Sequence, residues 1–144
     1  MTVHFTIPGE PQGKARPRVV RGKDGRAHTY TPEKTMQYEA LIRQEYRRQG
    51  GVRFPDGAVL SVRLVAWYAV PKSASKQRRA AMLAGELLPT KKPDLDNIAK
   101  VICDALNGIA YRDDAQVVEL YAEKRWDEIP RVIVCIEEVG REDV

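Results

Sequence analysis

The residues best equipped for chemistry fall in two short runs. Asp94 and Asp96 stand where a loop becomes a helix, and Asp113 and Asp114 stand where a loop becomes a strand. Carboxylates gathered without a counter-charge repel one another, and at least one is driven toward protonation unless a cation joins them. Aspartate oxygens are hard ligands that suit Mg2+, with Mn2+ as an alternative, whereas two histidines and two cysteines are too few for a dedicated zinc site. The apolar helix between the runs is expected to fold its two ends into proximity, so that three or four of these acids face one pocket. Hydrolysing a phosphodiester requires a water to be activated, the anionic phosphate shielded and the leaving oxygen stabilised, and two metals about 3.5–4 Å apart serve all three needs. Lys100, one turn after Asp96, projects from the middle of the same polar face and can contact the scissile phosphate.

Each residue also has a duller use. Acids are favoured as helix caps and in first turns, which would account for Asp94 and Asp96. Lys100 can form pairs four residues away with Asp96 and Asp104. Paired aspartates ahead of a strand commonly form a turn. Only the conjunction of all these groups points to catalysis.

The elements that must position them read as follows. Val3 to Pro8 is a short opening strand, followed by a loop or ragged hairpin with a turn at Gly22 to Gly25. Thr31-Pro32 reads as an N-cap and first helical residue, and Tyr38, Leu41, Ile42, Glu45 and Tyr46 recur at helical spacing until Gly50-Gly51. Ala58 to Ala69 alternates as a long strand, with Leu60, Val62, Leu64, Ala66 and Tyr68 on one face. Ser73 is placed to cap a short basic helix that runs to about Ala84, and Pro89 to Pro93 is a loop. Ile98, Val101, Ile102, Ala105 and Leu106 form the apolar stripe of a helix from about Leu95 to Leu106. Val117 to Trp126 and Arg131 to Glu138 read as two strands joined by a tight turn, an antiparallel hairpin. Alternation along the first of these strands lets only one of Asp113 and Asp114 point into the pocket. The expected fold is a single α/β (α+β) domain over residues 1–144, with one mixed sheet packed against helices in the order β-α-β-α-α-β-β.

A chain of 144 residues with 43% hydrophobic and 31% charged residues is sized and composed for one folded domain. No run long and apolar enough to span a membrane is present, and the N-terminus lacks the order of a signal peptide, so a cytoplasmic protein is expected. Cys103 and Cys135 have no metal-binding spacing and read as small buried hydrophobes. His4 and His28 read as strand or surface residues, and Trp67 and Trp126 as core or sheet-face residues. Phosphate loops and dinucleotide motifs are absent, so no nucleotide cofactor is expected. The net charge of +4 is modest, but it is unevenly spread. Lys14, Arg16, Arg18, Arg21, Lys23 and Arg26 face only Asp24 across one short stretch, and a second cluster includes Lys72, Lys76, Arg78, Arg79, Lys91 and Lys92. Such clusters are where phosphate contacts are expected, with Lys14, Arg16, Arg18, Arg21, Lys76 and Arg79 the candidate DNA-binding residues.

The run Asp94-Leu-Asp-Asn, then Lys100, then Asp104-Ala-Leu, then Asp113-Asp-Ala-Gln-Val-Val resembles the RusA family of Holliday junction resolvases in order and spacing. The likeness is specific over Lys92 to Val118, and Phe5-Thr-Ile-Pro-Gly, Lys14-Ala-Arg-Pro-Arg and Tyr30-Thr-Pro are similar to the opening of bacterial and phage members. The strand and basic helix between match only in general character. The resemblance implies a magnesium-dependent homodimer that binds four-way DNA junctions and nicks two strands symmetrically, leaving 5′-phosphate ends. It assigns the essential acids to Asp94, Asp96 and Asp114 and the essential lysine to Lys100. Asp113 and Asp104 are secondary: Asp113 aligns with a second acid of the pair, and Asp104 serves helix packing or orients Lys100. The competing expectation is a non-catalytic basic DNA-binding module in which the acids are only caps and turns. Clustered negative charge near a polyanion argues against it.

Overall fold

In the computed structural model, which describes residues 1–141, the chain forms one mixed sheet with helices packed against it. Residues 142–144, part of the expected domain, lie outside the described residues. The elements are β1 (Thr2–Pro8), β2 (Arg18–Arg21), β3 (Ala27–Tyr30), α1 (Glu33–Arg48), β4 (Ala58–Ala69), α2 (Lys76–Leu83), α3 (Leu95–Ala105), a short 3-10 turn (Asp114–Gln116), β5 (Val117–Asp127) and β6 (Arg131–Arg141). The expected single-domain α/β architecture is therefore found, with β2 and β3 added as a small separate hairpin.

The main sheet has the order β1-β6-β4-β5. Alternation decides its faces: Leu60, Val62, Leu64, Ala66 and Tyr68 of β4 are buried beside Phe5 and Ile7 of β1 and Val132, Val134 and Ile136 of β6. Tyr38, Ile42 and Tyr46 of α1 and the stripe Ile98, Val101, Ile102 and Ala105 of α3 close this face. Gln49, just past α1, clamps the helix to the sheet through both backbone groups of Thr6, each at 2.8 Å. The opposite face carries exposed His4, Arg63, Tyr121 and Glu137.

Three local expectations change. β5 and β6 are not a hairpin, because β4 lies between them, parallel to β5 and antiparallel to β6. β4 ends at Ala69, which lets residues 128–130 cross over its end. Two strand spacings are roughly 10 Å, within the reach of four peptide steps. Arg131 fixes the crossing by donating to the Asp127 carboxylate at 2.5 Å and to the Ile129 carbonyl at 2.7 Å. Second, α2 is capped by Ser75, whose hydroxyl accepts from Arg78 N at 3.2 Å, rather than by Ser73. Third, α1 begins one residue later than expected, with Pro32 in the cap position and no side-chain cap. Both cysteines are half-buried rather than fully buried. Trp126 is buried and Trp67 lies half-buried on the sheet's other face, with the Arg131 guanidinium 5.1 Å from its ring centre.

Candidate active site

The head of α3 is held from three sides. Its apolar stripe is buried, Tyr68 donates from its hydroxyl to the Pro93 carbonyl at 2.9 Å, and Lys14 N donates to the Asn97 carbonyl at 3.0 Å. Gly13 allows that last contact, since a β-carbon there would sit 2.9 Å from Asn97 Cβ and 3.0 Å from Pro93 Cβ. Asp94 occupies the N-cap position with extended backbone, yet its side chain makes no capping hydrogen bond. Among the described residues, Asp96 and Lys100 likewise form no hydrogen bond or ion pair, and all three side chains are exposed. The duller uses weighed for Asp94 and Lys100, as cap and as helix-pairing lysine, are thus not the ones adopted.

The other end of α3 is built differently. Asn107 accepts from Asp114 N at 2.8 Å, and Tyr111 donates to the Cys103 carbonyl at 2.7 Å. Asp113 and Asp114 do not enter on a strand: Asp113 caps the 3-10 turn that Asp114 begins, with Gln116 reciprocating. Strand alternation therefore has no say over this pair, and Asp113 takes the capping role that acids often take. Gln116 also donates to the Pro55 and Ala58 carbonyls, both at 3.0 Å, pinning the turn to the approach to β4. Partial burial, then the hydrogen bond and charge of Asp113 and the charge of Asp104, hold the Asp114 carboxyl above the usual carboxylate range. Burial, aided by the charges of Asp114 and Asp104, pushes the Cys103 thiol up to about 11.

Asp94 and Asp96 therefore stand at one end of α3, while Asp114 stands at the other beside Asp104. Ten residues of helix separate Asp94 from Asp104, about 15 Å along the axis. Among the described residues no three histidine, cysteine or acidic side chains converge closely enough to hold one ion. A straight helix whose stripe is buried along its length keeps its ends apart, against the expectation that it would bring them together.

The basic residues also divide. Lys14 is half-buried between Glu39 at 3.3 Å and Asp104 at 3.4 Å, tying α1 to α3, so Asp104 pairs with Lys14 rather than orienting Lys100. Arg16, Arg18 and Arg21 are exposed on and before the β2–β3 hairpin. Lys76 opens α2 in solvent, and Arg79 reaches Glu128 at 3.3 Å. A cleft of about 400 Å3 lies beside Asp94, lined by the loop through Gly13 and by Lys14, Lys34, Lys92 and Asn97. Lys34 and Glu39 were not singled out in the sequence. Nothing local marks them, because their partners are distant along the chain.

Acids left free on the head of a buried helix, next to a lysine-lined cleft and an arginine-bearing hairpin, belong to a protein that works on a polyanionic backbone, as nucleases do. The chain matches the family described as Endodeoxyribonuclease RusA over residues 8–137, and it belongs to that family. It is 38% identical over 143 residues to the Bacillus subtilis (strain 168) protein described as Uncharacterized protein YqaN, covering 96% of this chain and 97% of that one. The chain is accordingly an endodeoxyribonuclease, a hydrolase of DNA phosphodiester bonds, and every candidate site residue lies inside the matched span. No helix among the described residues is long and apolar enough to cross a membrane.

Proposed function

We propose that this chain is a magnesium-dependent, structure-selective endonuclease that nicks four-way DNA junctions in symmetric pairs, acting in recombination and repair. The observation that carries the reading is the unengaged set Asp94, Asp96 and Lys100, held free on a helix that is otherwise tightly packed. Two carboxylates supplemented by water and phosphate oxygens suit magnesium, with manganese as a substitute. A divalent cation there would supply an activated water and shielding of the phosphate. Asp94 and Asp96 would hold it, and Lys100, one turn on, would meet the scissile phosphate and the charge that develops on it. Arg18 and Arg21 on the exposed hairpin and Arg16 just before it, with Lys76 and Arg79 at α2, would grip backbone away from the cut.

Asp114 needs a second chain in this reading. In the same protomer it stands by the tail of α3, and among the described residues no three acids converge on one point, so a two-fold homodimer would supply it from the neighbour. Paired cuts also require two sites related by symmetry. The test is nicking of a synthetic four-way junction beside linear duplex of the same sequence, with and without Mg2+. Magnesium-dependent cutting of the junction alone is expected. Cutting of neither would leave a basic binding module, and equal cutting of both would remove the selectivity.

A further inference from the structure

The ends of β4 and β5 reach the segment that leads into Asp94. Tyr68 of β4 lies on the packed face of the sheet, and Lys124 and Trp126 of β5 share that face, beside Ala66 and Tyr68 respectively. Alternation fills such positions with side chains that can be buried, and Ala66, Tyr68 and Trp126 are buried accordingly. A lysine at position 124 departs from that pattern, and a buried tyrosine hydroxyl needs a partner. Both polar ends find one on the same stretch of backbone. The Lys124 ammonium donates to the Lys91 carbonyl at 2.8 Å, and the Tyr68 hydroxyl donates to the Pro93 carbonyl at 2.9 Å.

The rings that carry these tethers are fixed in turn. Tyr68 and Trp126 meet edge to face with centres 6.2 Å apart, and Lys91 Nζ lies 5.6 Å from the first ring centre and 5.9 Å from the second. The Pro93 carbonyl belongs to the planar peptide unit that ends at the Asp94 Cα, so the hydroxyl that holds it also sets the direction in which the Asp94 side chain departs. Asp94 makes no capping hydrogen bond of its own, so its placement depends on the backbone before it.

We propose that Tyr68 and Lys124 are positioning residues for cleavage, which present Asp94 to its cation by tethering the Pro93 and Lys91 carbonyls to the sheet. The proposal rests on the reading of Asp94 as a metal ligand above. Neither side chain is a ligand in it; each acts through the backbone that carries the ligand. With a tether lost, Asp94 is still present but held less firmly, and a displacement of about 1 Å at a reacting centre costs on the order of a hundredfold in rate. Removing one tether of the two costs less than that.

The experiment uses the full chain and follows Mn2+ binding by electron paramagnetic resonance, junction nicking in Mg2+, junction affinity by gel shift without divalent ions, and thermal melting. Tyr68→Phe keeps the ring and removes only the donor. It should weaken Mn2+ binding about fivefold and slow nicking at saturating junction about tenfold, with junction affinity unchanged. Tyr46→Phe is the control, since it loses a hydroxyl bond to the Val52 carbonyl toward the tail of α1. It should lower the melting temperature by a similar margin and keep natural Mn2+ affinity and nicking. Lys124→Met should act in the same direction as Tyr68→Phe, although losing a positive charge by itself favours a bound cation. Should Tyr68→Phe not fold, Lys124→Met decides by the same measurements. Natural Mn2+ affinity and nicking in Tyr68→Phe, or equal losses in Tyr46→Phe, would overturn the proposal while leaving Asp94 a ligand. If instead the natural chain binds no Mn2+, or Asp94→Asn binds it as tightly, the metal reading of Asp94 falls and this proposal with it.

Discussion

At the head of α3 an aspartate takes N-cap geometry and leaves unused the hydrogen bond that position offers. Asp96 and Lys100, on the next turn, are equally uncommitted. Side chains kept idle in this way gain nothing for the fold, so replacing them should leave stability unchanged and fall entirely on cleavage. Asp96→Asn is expected to lower junction nicking in Mg2+ on the order of a hundredfold or more, and Lys100→Met by about a hundredfold. Junction binding, read by gel shift, should persist in both, and loss of binding in Asp96→Asn would refute this division of labour. These residues were legible in the sequence because their spacing is local. Lys14 stood out only as a basic residue, and its pairing was not legible, since its partners Glu39 and Asp104 are brought to it only by the packing of α1 on α3.

Among the elements, the loop before β2 and the connection after β5 carry the sharpest consequences. Gly13→Ala would drive a β-carbon into Asn97 and Pro93, forcing the loop off the head of α3. A cost of about 1–3 kcal/mol in a denaturant melt is expected, with a matching loss of nicking as the Lys14 contact opens. At the crossing over β4, the Arg131 hydrogen bond holds the Asp127 carboxyl below the usual carboxylate range. A depressed carboxylate contributes stability above its unfolded value and loses it as pH falls through the folded value. Thermal melts of the natural chain and Arg131→Ala should therefore differ most at neutral pH and draw together in strong acid. The helices and long strands were readable from periodicity, but this connection was not. A short turn between two strand patterns ordinarily signals a hairpin, and only the early end of β4 allows the chain to pass over it instead. Asp113 takes the turn-forming use that the sequence also offered, capping a 3-10 turn, so strand alternation does not choose between it and Asp114.

For the molecule as a whole, sharing of acids between two symmetry-related chains makes a prediction that no single chain can satisfy. Asp96→Asn and Asp114→Asn should each be inactive, yet mixed after unfolding and refolding together they should regain nicking. One of the two sites in a mixed dimer then has every acid intact. Sites confined to single chains would stay dead in any mixture. The mixed sheet and its single domain were legible beforehand, whereas strand order was not, because alternation tells which face a residue uses and says nothing about which strand lies beside it.

The last strand in chain order is also an interior one: β6 lies between β1 and β4. Until it has left the ribosome, the first strand has no neighbour to bond with, and the long central strand is paired on one edge alone. A nascent chain ending before Arg131 would thus expose two apolar strands awaiting the same missing ladder. Assembly of this sheet must wait until β6 has been made, and stops before it should yield insoluble, quickly degraded fragments rather than a weakened enzyme.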